Sequence, residues 1–201
     1  MSDKPWYILV MKGNLAILPA LALTLAGCSE NWSAEEKRII NSDTDILHVY
    51  TIDNPEETQV LRSKSEDFST QMLRSDEYSL LAAKMVATVT DPSQDGVGIA
   101  GPQVGILRRI VAVQRFDKEG EPFEVYPNIC ITQYYGDTVP GPEGCLSVPG
   151  RRGDVSRWQD IEIRYRNPDT LEDTTERVTG FTAVIFQHEC DHLQGILYID
   201  R

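Results

Sequence analysis

Apolar positions recur at helical spacing over residues 66–89. Phe68, Met72, Leu73, Leu80, Leu81, Met85, Val86 and Val89 fall on one stripe, which predicts a helix that Asp91-Pro92 ends. Elsewhere the apolar residues come in short runs. Residues 46–52 (ILHVYTI), 109–115 (RIVAVQR), 123–126 with 129–135, and 160–165 (DIEIRY) are predicted strands, the first broken by Asn54-Pro55. A second helix is predicted over residues 182–193, with Thr182 as its N-cap and Gly195 as a left-handed stop. Between the first helix and the second strand lies a glycine-rich turn, residues 96–103 (GVGIAGPQ). Strands outnumber helices and the links are short, so the pattern predicts an α+β domain with antiparallel strands, not a doubly wound sheet.

The N-terminal pattern is different. Residues 15–26 (LAILPALALTLA) are almost wholly apolar. That run is shorter than the roughly 20 residues of a membrane-spanning helix and has the length of a signal-peptide apolar region. It ends in Leu25-Ala26-Gly27-Cys28, small residues before a cysteine, as in the bacterial lipoprotein signal. Residues 1–28 are therefore expected to be a lipoprotein-type signal peptide ending at the lipidated Cys28, with Met11-Lys12 as its well-proportioned start. Residues 29–45 are polar and charged and are expected to form a tether with about one helical turn. Residues 46–201 are expected to be the single folded domain. The mature protein is then lipid-anchored in the bacterial cell envelope, touching the membrane only through Cys28; a cytoplasmic protein is the alternative.

Composition narrows the field. A chain of 201 residues, 41% hydrophobic, can bury one real core. A net charge of −12 argues against nucleic acid as a partner, since that needs a cationic surface. A monomer is expected. The four cysteines (Cys28, Cys130, Cys145 and Cys190) include no CxxC pair, which speaks against a disulfide scaffold.

Of the three histidines, His188 and His192 stand four residues apart, one turn along the second predicted helix. Both imidazoles can reach one ion. Glu189 lies beside that face, where it can act on a water without ligating the ion. Residues 188–192 are thus an HExxH motif. Phe181, Val184, Ile185 and His188 share a stripe, which turns the histidines toward the core. Cys190 points elsewhere and reads as a packing residue. The only carboxylate among the nine residues after His192 is Asp200, so a third ligand is expected upstream. His48 is one candidate. Cys145 is the better one, in residues 141–150 (GPEGCLSVPG), where a thiolate can be held and backbone N–H groups left free.

Three segments, residues 96–103 (GVGIAGPQ), 143–147 (EGCLS) and 187–192 (QHECDH), resemble the signature motifs of peptide deformylases in their order and spacing. Ile99 and Gly101 are small departures from the family pattern. The resemblance covers residues 46–201. It implies antiparallel strands packed around a central metal-binding helix, and removal of the formyl group from N-formylmethionyl peptides as formate. It implies one divalent metal ion on Cys145, His188 and His192, Fe2+ foremost, with Zn2+, Ni2+ or Co2+ also accepted. It assigns acid/base work to Glu189 and oxyanion stabilisation to Gln103 and the Leu146 N–H. By the same resemblance Gly98 and Ile99 pair with the substrate backbone as an added strand. Val97, Val184 and Ile185 line the methionine pocket, and Arg152 touches substrate. Arg157 is expected to pair with Glu143 or Asp191. Two rival functions remain: an exported HExxH metallopeptidase, and a lipoprotein that binds formyl peptides or metal without turnover.

Overall fold

The computed structural model describes residues 31–94 and 96–201. The expected signal peptide and Cys28 lie outside the described residues. Five α-helices and eight strands follow in the order α1 (Ala34–Ile40), α2 (Pro55–Leu61), α3 (Thr70–Leu73), α4 (Asp76–Val89), β1 (Gly98–Ala100), β2 (Ile110–Gln114), β3 (Phe123–Pro127), β4 (Cys130–Tyr134), β5 (Thr138–Cys145), β6 (Val148–Trp158), β7 (Asp160–Arg166), β8 (Asp173–Thr179) and α5 (Gly180–His192). Among these elements all strand pairing is antiparallel, in three small sheets: β1-β2-β3, β4-β7-β8 and the β5-β6 hairpin. The fold is α+β, as expected.

One core lies between α4 and the first sheet. Leu81, Met85 and Val89 on α4 pack with Ile99, Ile106, Ile110 and Ala112. The other side of that sheet meets the second sheet and α5, through Val111, Val113, Ile161, Ile163, Val178, Ala183 and Phe186. The alternating burial along β7 directs Ile161 and Ile163 inward, as a half-buried strand requires. Helix α5 contacts strands of all three sheets and so sits at the centre of the fold. That position, rather than helical propensity, holds it.

Several expected elements change. The helix expected over residues 66–89 is two helices, because Ser75 caps α4 by accepting a bond from the Tyr78 N–H. Leu80 leaves the expected stripe and is 37% exposed. Residues 46–52 form no strand. Their amides are satisfied singly, Leu47 N–H by Thr88 Oγ1, Tyr50 N–H by the Gln103 carbonyl and Ile52 N–H by the Ser147 carbonyl. Helix α5 starts earlier than expected, with Thr179 at its N-cap in place of Thr182. Gly195, at φ +73°, does stop it. The tether expected over residues 29–45 is corrected over much of its length. Ser33 and Glu36 form a capping box at α1. Trp32 and Ile40 join the core, and Glu36 makes a buried pair with Arg108, Oε1 to Nε 2.7 Å. The polar pattern hid a helix whose apolar face is only a few residues wide.

Candidate active site

Helix α5 and the turn between β5 and β6 meet at one place. The Cys145 Sγ and one ring nitrogen each of His188 and His192 lie within 4.8 Å of one another. Cys145 Sγ is 3.2 Å from His192 Nε2. The turn position of Cys145 follows from the hairpin register, in which Cys145 pairs with Val148. His48, the other candidate ligand, is elsewhere; it is exposed and bonded to Glu57 at 2.8 Å.

Of the three, His188 is held from behind. His188 Nδ1 meets Glu143 Oε2 at 2.8 Å, which turns the other ring nitrogen toward the ligand cluster. Arg157 donates to Glu143 (Nε to Oε1, 2.7 Å) and to Asp191 (Nη1 to Oδ2, 2.6 Å), so it pairs with both expected carboxylates. Arg201 clamps Asp191 from the other side. Burial would push the Glu143 carboxyl up, but bonds from His188 and Arg157 outweigh it and hold the group at about 2. Glu143 is thus a fixed negative charge beside the ring that ligates. Without a metal, burial opposes a charged His188, yet its bonds to Cys145 and Glu143 raise it to about 10. Burial, then the charge of His188, lowers His192 well below the usual histidine range. One proton among the two rings is what a metal would displace.

Glu189 is buried, and burial raises its carboxyl to about 7. That suits a group that takes and returns a proton near neutral pH. Its Oε2 is buried without a hydrogen-bond partner among the described residues. Across from it, Gln103 is fixed by its own backbone neighbourhood, with Ala100 N–H donating to Oε1 at 2.8 Å. This aims Nε2 at Ser147 Oγ (3.2 Å) and Cys145 Sγ (3.6 Å). A thiol, two imidazoles and a buried, unpartnered carboxylate beside them fit a divalent ion with an open coordination position. These residues therefore fit the metal that the sequence motifs imply.

A cleft of about 780 Å³ opens over the cluster. Val97, Gly98, Gln103, Leu146, Arg152, Val184, Ile185, His188 and Glu189 line it. Ile99 does not; its side chain is wholly in the core, and only its backbone lies along β1. The α5 stripe lines this cleft, with Ile185 shared between cleft and core, and Phe181 at its start is 55% exposed. Cys190 borders a separate cavity on the other side of α5. Burial there raises its thiol to about 12. Sequence reasoning missed Ser147 as the brace for Gln103 and Glu143 as the partner of His188. Their contacts join residues 44 and 45 positions apart, which no local spacing reveals.

Comparison with known proteins gives one answer. The family model for polypeptide deformylase matches residues 46–201. A peptide deformylase of Leptospira biflexa is 38% identical over 163 residues, covering 78% of this chain and 87% of that protein. The class I type b peptide deformylase from Acinetobacter baumannii, crystallised with Met-Ala-Ser bound, superposes with a TM-score of 0.68 at 33% identity; 78% of this chain and 98% of that one are covered. The peptide deformylase from Thermotoga maritima gives 0.67 at 30% identity, over 78% and 97%.

Proposed function

This chain belongs to the polypeptide deformylase family, and on that premise we propose that it removes the formyl group of N-formylmethionyl peptides as formate, using Glu189 as the acid/base. The observation that carries the reading is the meeting of Cys145, His188 and His192, with Glu189 and Gln103 lining the cleft over them, from three segments far apart in sequence. A divalent ion on Cys145, His188 and His192, when bound, supplies Lewis-acid polarisation of the formyl carbonyl and activation of water at neutral pH. The proposed ion is Fe2+, the family's usual choice, and the same donor set also accepts Zn2+, Ni2+ or Co2+.

The chain's own residues do the rest. Strand β1 is an edge of its sheet, bonded to β2 on one side only, so a peptide can lie along Gly98 and Ile99 as a further strand. That orientation brings the formyl end under Glu189. The methionine side chain goes to the apolar wall of Val97, Val184 and Ile185. Glu189 accepts a proton from the attacking water and returns it to the leaving amine. Gln103 Nε2 and the Leu146 N–H donate to the oxygen that becomes negative; each such donor typically contributes a few kcal/mol. Ser147 and the Ala100 N–H keep the Gln103 amide in that orientation. Glu143 keeps the His188 ring in one tautomer.

The test is formate release from formyl-Met-Ala-Ser by the metal-loaded protein. Glu189→Ala is expected to lower kcat by at least about 10²-fold while metal content stays unchanged, because a base that is not a ligand is lost. No formate from the metal-loaded wild type would end the reading.

The reading extends to place. Residues 15–28 support a lipid anchor at Cys28 and a place in the cell envelope, where we propose that the protein is a monomer. Among the described residues no helix is long and apolar enough to cross a membrane. Cells fed labelled fatty acid should yield labelled protein that Cys28→Ala abolishes. Unlabelled protein in the soluble fraction would overturn it.

A further inference from the structure

The β5-β6 hairpin carries an irregularity beside the ligand turn. Cys145 pairs with Val148 and Glu143 with Gly153, so Gly144 alone faces residues 149–152. The surplus residues bulge out, with Gly150 at φ +71° turning the chain. Bulges near sites re-aim side chains, and this one aims Arg151 and Arg152. Both are exposed, and both border the cleft that holds Glu189. The aliphatic stem of Arg152 lies across Gly144, its Cγ 3.8 Å from where a Cβ there would be.

Their charge is unusual for this molecule. The chain is strongly acidic, at −12, and its arginines are mostly claimed by carboxylates. Arg115 is held by Asp117, Glu124 and Glu176, Arg157 by Glu143 and Asp191, and Arg177 by Asp160. Arg151 and Arg152 make no ion pair and no hydrogen bond with any described residue. Among the described residues the carboxylates that line the cleft are Glu143, already bonded to Arg157 and His188, and Glu189, buried under the cleft floor. Two planar forks of N–H donors therefore stand free at the mouth through which the rest of a bound peptide must leave.

We propose that Arg151 and Arg152 form a carboxylate-reading rim, which makes the enzyme favour formyl peptides carrying a carboxylate downstream of the methionine. The proposal rests on the deformylase reading above and adds the substrate class to it. The carboxylate can be an acidic side chain or the terminus of a short peptide; both offer two oxygens to a guanidinium. Nucleic acid does not fit two cations on a chain of net charge −12.

The test compares kcat/KM for formate release from amide-capped formyl-Met-Ala-Glu-Ala, its Gln and Lys counterparts, and versions with the variable residue one position nearer or farther. Formyl-Met-Ala-Ser as free acid and as amide forms a second arm. At about 0.01 M salt the Glu peptide, the free acid, or both should exceed the neutral partner by roughly two- to tenfold, the range of one or two exposed ion pairs. The Lys peptide should fall below Gln. The difference should lie in KM, not kcat, and shrink toward unity at about 1 M salt, where screening is nearly complete. In the Arg151→Gln, Arg152→Gln double variant, the Glu-to-Gln ratio measured on the same protein should also fall to about one. Equal kcat/KM in both arms at low salt overturns the proposal, as does a preference that survives the double substitution. Failure of every peptide to release formate would instead overturn the deformylase reading.

Discussion

A Cβ built on Gly98 would stand 2.5 Å from Glu189 Oε1 and 2.8 Å from Ile185 Cγ2. Real contacts are never that close, so any side chain at Gly98 must push the Glu189 carboxylate or β1 itself. Glycine at this position thus leaves room for the Glu189 carboxylate and is not there for a turn. Gly98→Ala is expected to lower kcat/KM by about 10²-fold, the usual consequence of displacing a reacting group by about 1 Å. Metal content and the thermal midpoint should change little, since the nearest atoms are side-chain ends. Near-normal turnover in purified Gly98→Ala protein would show that Glu189 is not held against β1 as described. The residues proposed to do the chemistry are legible in the chain because their patterns are local: the i, i+4 histidines, the adjacent Glu189, the glycine turn ending in Gln103. Ser147 is legible only as a neighbour of Cys145, and Glu143 only as that and as a candidate partner of Arg157. Their work depends on which distant side chain the fold brings to them.

At the scale of elements, composition misled where tertiary contacts outweigh local preference. The segment around Cys145 is rich in glycine and proline and reads as a loop, yet it is half of the β5-β6 hairpin. Strand β8 has five exposed or half-exposed polar residues before Val178, which removes the alternation that marks a strand. Helix α1 reads as tether because its apolar anchors are few, Trp32 before it and Ile39 and Ile40 at its end. A further anchor is ionic, Glu36 against Arg108. Burial alone would raise the Glu36 carboxyl, but bonds from Arg108 and the Ser33 N–H outweigh that and lower it below the ordinary glutamate range. A carboxyl lowered by folding stabilises the fold above its unfolded pKa, and that stabilisation is lost as pH falls through the folded value. Glu36→Gln is therefore expected to be destabilised by about 1–3 kcal/mol at pH 7, as when a hydrogen-bonded buried charge loses its partner. Wild type and variant should converge as the solution is acidified below about pH 4. Denaturant melts at several pH values check this. A difference that persists undiminished at low pH would mean that packing, not charge, docks α1.

The whole molecule hangs on α5, which touches all three sheets, and on the turn of the hairpin that contributes Cys145. The hairpin is otherwise a small sheet with a small apolar cluster of its own, Val148, Val155, Leu197 and Tyr198. A divalent ion on Cys145, His188 and His192 would tie that hairpin to the central helix. Because an ion bound to the folded state alone stabilises it by mass action, free metal at about a thousandfold excess over Kd adds roughly 4 kcal/mol. For a domain of this size that corresponds to about 8–16 °C in the thermal midpoint. Chelation should lower the midpoint by that order, and the loss should reverse when metal returns. Cys145→Ala should melt near the chelated wild type and respond weakly to added metal. His48→Ala, at an exposed residue away from the cluster, should retain the full shift. Scanning calorimetry with and without chelator reads all three proteins. If wild type melts at one temperature whether or not metal is present, the three ligands do not join hairpin to helix, and the metal would have to be placed elsewhere in the cleft.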